Sequence, residues 1–209
     1  MNQKWWVETM KKNKLLIVVI LIILILGGLY LLNFGKKPEK IKSKITKTIE
    51  NYNYNLYDNS TKNYKDLFDE LSKVLSSDTV DEKKYVELIS KMFIIDFYTL
   101  SNKTTNMDIG GLQFVHKDVV DNFKEKATAT IYKFVETNIY GDRKQELPKV
   151  KEVTIERIEQ KNFKYNKTSD SNAYFVKVNW AYEKDLGYET SKNLIFVHDD
   201  KALSLVEMS

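Results

Sequence analysis

Residues 173–184 read Ala-Tyr-Phe-Val-Lys-Val-Asn-Trp-Ala-Tyr-Glu-Lys. Tyr174, Val176, Val178, Trp180 and Tyr182 share one parity; Lys177, Asn179 and Glu183 share the other. Apolar side chains at every second position describe a strand with one face on a core and one toward water. Val153 and Ile155 alternate in the same way with Glu152, Thr154 and Glu156, until Ile158 breaks the parity and predicts a bulge or bend. Leu194–Val197 and Ala202–Val206 follow, separated by Asp199 and Asp200, which suit a hairpin turn better than catalysis. The expected strands are Val150–Gln160, Ala173–Lys184, Thr190–His198 and Lys201–Glu207. The connections at 184–190 and 198–201 are short, so neighbours pair antiparallel. Lys161–Asn172 is polar and reads as a loop.

Before Pro148 the period lengthens to that of a helix. Ile41, Ile45, Ile49, Tyr52 and Leu56 recur every three or four residues and predict a helix over Lys36–Tyr57, with Pro38 in its first turn. Leu67, Phe68, Leu71 and Leu75 form the stripe of a second helix over Lys62–Leu75. Thr79 and Glu82 read as a capping box for a third, running to about Leu100 and apolar on a wide face. Ser101–Leu112 reads as a loop, and Lys117–Asn138 as a fourth helix with Phe123, Ala127, Ile131, Phe134 and Val135 inward. Helices before strands give an α+β domain, with helices on one face of a curved antiparallel sheet of about four strands.

Working further outward, Leu15–Gly35 contains no charged residue. About 20 helical residues cross a hydrocarbon core of about 30 Å. Lys11, Lys12 and Lys14 flank one end, Lys36 and Lys37 the other, and Trp5, Trp6, Tyr30 and Phe34 suit the interfaces. A cleaved signal peptide has a shorter apolar core and a small-residue cleavage site, which this segment lacks. The reading is a cytoplasmic tail at 1–14, an uncleaved membrane helix at 15–35 and an extracytoplasmic domain at 36–209. The charge agrees. Residues 1–47 hold 10 Lys and two acids, and the remainder holds 23 basic and 27 acidic residues. The net charge of +4 is thus a Lys-rich collar, suited to anionic headgroups, added to a mildly acidic body. That body lacks the clustered cations of a nucleic-acid surface. All but Arg143 and Arg157 of the 33 basic residues are Lys, a bias typical of AT-rich genomes and pointing to a low-GC Gram-positive bacterium.

Chemistry is sparse. Cys is absent, so disulfides, thiolate metal sites and Cys nucleophiles are excluded. His116 and His198 belong to no metal-binding or hydrolase motif and read as surface histidines near turns; a cleft placing either beside a carboxylate would revive an enzyme. Asp108-Ile109-Gly110-Gly111 is either a phosphate-cradling turn or, more simply, a loop using Gly for positive φ. No cofactor or metal is implied. The candidate pocket or interface residues are aromatic and aliphatic: Tyr174, Val176, Trp180 and Tyr182 on the sheet, which either line a ligand pocket or fill the core, and Tyr52, Tyr54 and Tyr57 as a contact surface.

This layout resembles the VirB8-like family of type IV secretion and conjugation systems, within the NTF2-like superfamily. The shared features are the short tail Met1–Asn13, the membrane helix Leu15–Phe34, the leading amphipathic helix, further helices and a bent antiparallel sheet. The likeness is one of architecture. It implies a non-enzymatic scaffold subunit of a transfer channel, acting through contacts with itself and with other channel proteins. The alternative is an anchored envelope module whose NTF2-like pocket binds a small molecule or peptide.

Overall fold

The computed structural model describes residues 18, 22–25, 27–28, 43–166 and 168–209. The tail expected at 1–14 and most of the span expected at 15–35 lie outside them. Val18, Ile22–Ile25, Gly27 and Gly28 are helical. Among the described residues no helix is long and apolar enough to cross a membrane. The chain divides at Lys40/Ile41, and the unit 41–209 is described by itself below.

That unit opens with two short strands, β1 (Ile45–Ile49) and β2 (Tyr54–Tyr57), paired antiparallel. Over the described residues 43–57 this corrects the helix expected over 36–57; residues 36–42 lie outside them. β-branched Ile45, Thr46, Thr48 and Ile49 favour extended backbone, and Asn53 takes a left-handed conformation, φ 55°, that reverses the chain. Alternation then sets burial: Tyr54 and Leu56 point inward, while Tyr57 faces out. The three-to-four spacing of the Ile residues was coincidental, and Ile45 is exposed.

Helices α1 (Lys62–Leu75) and α2 (Glu82–Tyr98) follow. The Thr61 hydroxyl caps α1 by accepting from Tyr64 N–H, and Tyr64, Phe68, Leu71 and Leu75 form its buried stripe. Asp81, not Thr79, caps α2 by accepting from Lys84 N–H at 3.0 Å. α2 is buried almost all round, as the central element of a layered core should be. Helix α3 spans only Val120–Ala129, not 117–138. The Thr128 and Thr130 hydroxyls both bond back to carbonyls four residues earlier, which weakens a helix end. The chain then turns to send Tyr132 into the core. Its hydroxyl donates to Phe97 O at 2.7 Å and accepts from Gly110 N–H at 3.0 Å. Phe134, expected inward, is 74% exposed.

Four strands complete the unit as an antiparallel meander in chain order: β3 (Val150–Tyr165), β4 (Thr168–Tyr182), β5 (Ser191–Asp199) and β6 (Ala202–Met208). The predicted bulge is present: register shifts between Ile155, opposite Val178, and Arg157, opposite Lys177. The loop expected at 161–172 is instead a continuation of the β3–β4 hairpin, with Tyr165 opposite Thr168. Backbone bonds carry a two-stranded extension without an apolar face, so polar side chains there hide no strand-forming defect. Asp200, φ 54°, makes the β5–β6 turn. α2 packs on the face bearing Val176, Val178 and Trp180, which are buried with Leu194, Phe196, Leu203 and Leu205. The fold is α+β, with helices on a curved four-stranded antiparallel sheet.

Candidate functional site

The sheet residues singled out by sequence divide by role. Val176 is 1% exposed, and Trp180, its ring 4.3 Å from that of Tyr98, is equally part of the packed interior. Tyr174 and Tyr182 keep polar tips at the margin. Tyr174 Oη donates to Glu82 Oε2 at 3.0 Å, and Tyr182 Oη to Glu189 O at 3.0 Å. Burial, before any neighbouring charge, pushes both phenols up to about 12. Tyr52 is half-buried, stacked near Tyr54 and edge-on to Tyr85. Tyr57 is exposed at the end of β2. Tyr54, 2% exposed, belongs to the core and not to a contact surface, and these residues do not form one site.

An open apolar cleft of about 670 Å³ lies instead at the seam between α3 and β6. Phe97 and Tyr98 at the end of α2, Phe123 on α3, Ile131 beyond it, and Leu205 and Met208 on β6 make its walls. Phe134 stands at its rim. Its polar groups are partly committed. Glu189 accepts from Tyr98 Oη at 2.7 Å and pairs with Lys192 at 2.9 Å. Burial and then Glu189 raise the Tyr98 phenol far above its ordinary range. Such a cleft can hold apolar matter and orient it with a few polar groups. Sequence reasoning missed it because its walls come from four separated segments, and the predicted length of α3 turned Phe134 inward.

Both histidines sit beside carboxylates, and neither lines this cleft. His116 is not on the surface: it is 3% exposed. Its main-chain N–H donates to Leu205 O at 2.9 Å, and its Nε2 lies 3.3 Å from Tyr165 Oη and 3.6 Å from Asp199 Oδ2. The curl of the β3–β4 hairpin brings Tyr165 there. His198 is held between Asp170 on β4 and Glu82 at the start of α2, with Nδ1 2.8 Å from Asp170 Oδ2 and Nε2 3.4 Å from Glu82 Oε2. Among the described residues no three potential ligands cluster to hold a metal ion.

The His198 cluster titrates. Burial opposes charge on the imidazole, but its bonds to Asp170 and Glu82 outweigh that and raise its pKa. Burial likewise opposes the Asp170 carboxylate, but N–H groups of His198 and Asn172 and the His198 ring hold its pKa low. The raised His contributes stability that is complete below its unfolded pKa, about 6.5, and is lost as pH rises through the folded value. The Asp contributes above about pH 3.9 and loses it as pH falls through its lowered folded value. The clasp is therefore fullest between these limits. We expect His198→Gln to cost about 1 kcal/mol at pH 5.5, the discounted worth of a partly exposed charged pair, and less at pH 8.5. Thermal melts at the two pH values check this; an equal cost at both contradicts it.

Comparison with protein-family models, curated proteins and solved structures returned no match to this chain.

Proposed function

We propose that the chain is a membrane-anchored, non-enzymatic scaffold subunit of a type IV secretion or conjugative transfer channel, of the VirB8-like kind. The observation that carries this reading is the order of parts. An uncharged apolar segment at 15–35 precedes a unit in which helices lead into a four-stranded antiparallel meander. The anchor draws support from Ile22–Ile25, whose side chains are at least half exposed, an arrangement that suits lipid rather than water. The orientation is N-terminus in the cytoplasm and domain outside. The partners are other channel proteins and further copies of the chain, met through surfaces such as the α3–β6 seam, where Phe134 is exposed. A basic collar meets lipid headgroups; the exported body binds no nucleic acid directly.

The test is genetic and biochemical. Deleting the gene should abolish transfer, and cross-linking in intact cells should recover the protein with other channel subunits. Protease added to protoplasts should digest the domain. Transfer at the parental frequency without the gene ends the proposal, and a protected domain reverses the orientation.

A second reading, an anchored binding module, is favoured by the volume of the α3–β6 cleft. It predicts a small molecule or peptide released on denaturing the protein purified from its own membranes, and no channel subunits among the cross-linked products.

A further inference from the structure

A second pocket, of about 320 Å³, lies between the end of β2, the entry to α1 and the 102–113 loop. At about 30 Å³ per water it has room for about ten molecules, more than a structural water site needs and within the range of small ligand pockets. Its base is built. Lys103, its side chain 6% exposed, sets Nζ 2.6 Å from Asp96 Oδ1, and Asp96 Oδ2 accepts from Gly111 N–H at 2.7 Å. Asp108 Oδ2 accepts from Thr104 N–H at 2.9 Å and from its hydroxyl at 3.2 Å. Arg143 donates to Lys103 O at 2.8 Å and Ser101 O at 2.7 Å, fixing the loop from behind.

These charges are therefore spent on one another, and among the described lining residues the residual sign, from Asp108, is negative. That disfavours an anion. What remains unspent is neutral and mixed. Asn102 Oδ1 is buried with no partner among the described residues. Tyr64 Oη accepts from Gln113 Nε2 at 2.7 Å, which leaves its own hydrogen without an acceptor among the described residues. Asn59 and Ser60 line the wall with side chains that make no bond to protein groups among the described residues. A native fold rarely leaves a buried acceptor empty. Each hydroxyl of a polyol is at once donor and acceptor, so it matches a wall that offers both. Tyr57, exposed at the rim, supplies an aromatic face for the apolar side of such a ring.

We propose that this pocket binds a neutral sugar residue, with Asn102 and Tyr64 bonding its hydroxyl or amide groups and Tyr57 stacking on its ring. The inference does not depend on the channel reading. It also gives Tyr57 a ligand where the sequence offered only a contact surface.

The experiment titrates the full chain, in a detergent without a sugar headgroup, with N-acetylglucosamine and glucose, and separately with inorganic phosphate and glycine. Saturable binding of at least one sugar, and none of phosphate or glycine, is expected. Tyr57→Ala and Asn102→Leu should each weaken it by about tenfold, the worth of one good contact. Melting curves of both variants control for folding; among the described residues neither side chain bonds one element to another, so both should melt near the parent. Three results overturn the proposal: no saturation by either sugar at tens of millimolar, preferential binding of phosphate or glycine, or undiminished sugar binding in both folded variants.

Discussion

Gly110→Ala is expected to lower the melting temperature of the domain by roughly 6–12 °C, from a cost of about 3 kcal/mol at 2–4 °C per kcal/mol. A methyl group there would lie 2.1 Å from Asp96 O and 2.6 Å from Lys103 Nζ. The first contact is with helix backbone, which cannot rotate away. Relief requires loop residues 109–111 to lift off α2, and that move breaks two bonds at once: the buried one from Gly110 N–H to Tyr132 Oη and the part-buried one from Gly111 N–H to Asp96 Oδ2. Gly187 is the control. It has φ +76°, yet an added Cβ there meets nothing within 4 Å, so Gly187→Ala carries only backbone strain of about 1 kcal/mol. Calorimetry of the two variants separates clash from strain. Equal melting points would contradict the close approach at Gly110. The pair Gly110-Gly111 is thus explained by packing against α2: Gly111 has φ +75° and would set a Cβ 2.7 Å from the Phe93 ring.

The legible parts of the fold were those in which one face is buried and the other is not. The 173–184 segment alternates because β4 has α2 on one side and solvent on the other, and α1 shows its stripe for the same reason. Even the bulge near Ile158 was readable, since an inserted residue shifts every later side chain to the opposite parity. The illegible parts lacked that asymmetry. The polar hairpin extension at 161–172 is held by backbone bonds, which leave no mark in side-chain hydropathy. β1 and β2 are too short to establish a period, and Ile residues spaced by four imitated a helix. Their tether is a polar one: Tyr54 Oη lies 2.5 Å from Tyr85 Oη, which accepts from Leu203 N–H at 3.1 Å. Nothing in the spacing of three distant residues announces such a contact.

The sites follow the same logic. Tyr174, Val176 and Trp180 were visible because a strand displays them in order, and burial by α2 is what that display is for. The α3–β6 cleft depends on where α3 stops, which local competition by Thr128 and Thr130 decides. The polar pocket depends on Lys103 folding back onto Asp96, seven residues earlier and across a helix end. A loop rich in Asn, Asp and Gly announced a turn; only tertiary structure placed an ion pair beneath it.

Ile22→Lys combined with Ile25→Lys is expected to shift the protein from the membrane to the soluble fraction. A Lys near the middle of a membrane helix costs about 2.5–3.5 kcal/mol, whereas an Ile there contributes about 0.3–0.6 kcal/mol in favour. Two replacements therefore change insertion by about 6–8 kcal/mol. In the proposed span, a helical rise of 1.5 Å per residue would set position 22 about 10 Å from position 15 and position 25 about 15 Å from position 35. In such a span neither ammonium would reach a headgroup as easily as a Lys at its ends. The unit 41–209 carries the buried core found among the described residues, so the released protein should keep the melting curve of that unit. Alkaline extraction of membranes followed by sedimentation reads the result, with Ile22→Leu and Ile25→Leu together as the conservative control. A parent chain already soluble under alkaline extraction would remove the anchor and, with it, the first premise of the scaffold reading. A double variant still sedimenting with lipid would locate the attachment elsewhere, for example at the Lys-rich collar, whose grip of about 1 kcal/mol per residue is released by salt where a membrane span is not.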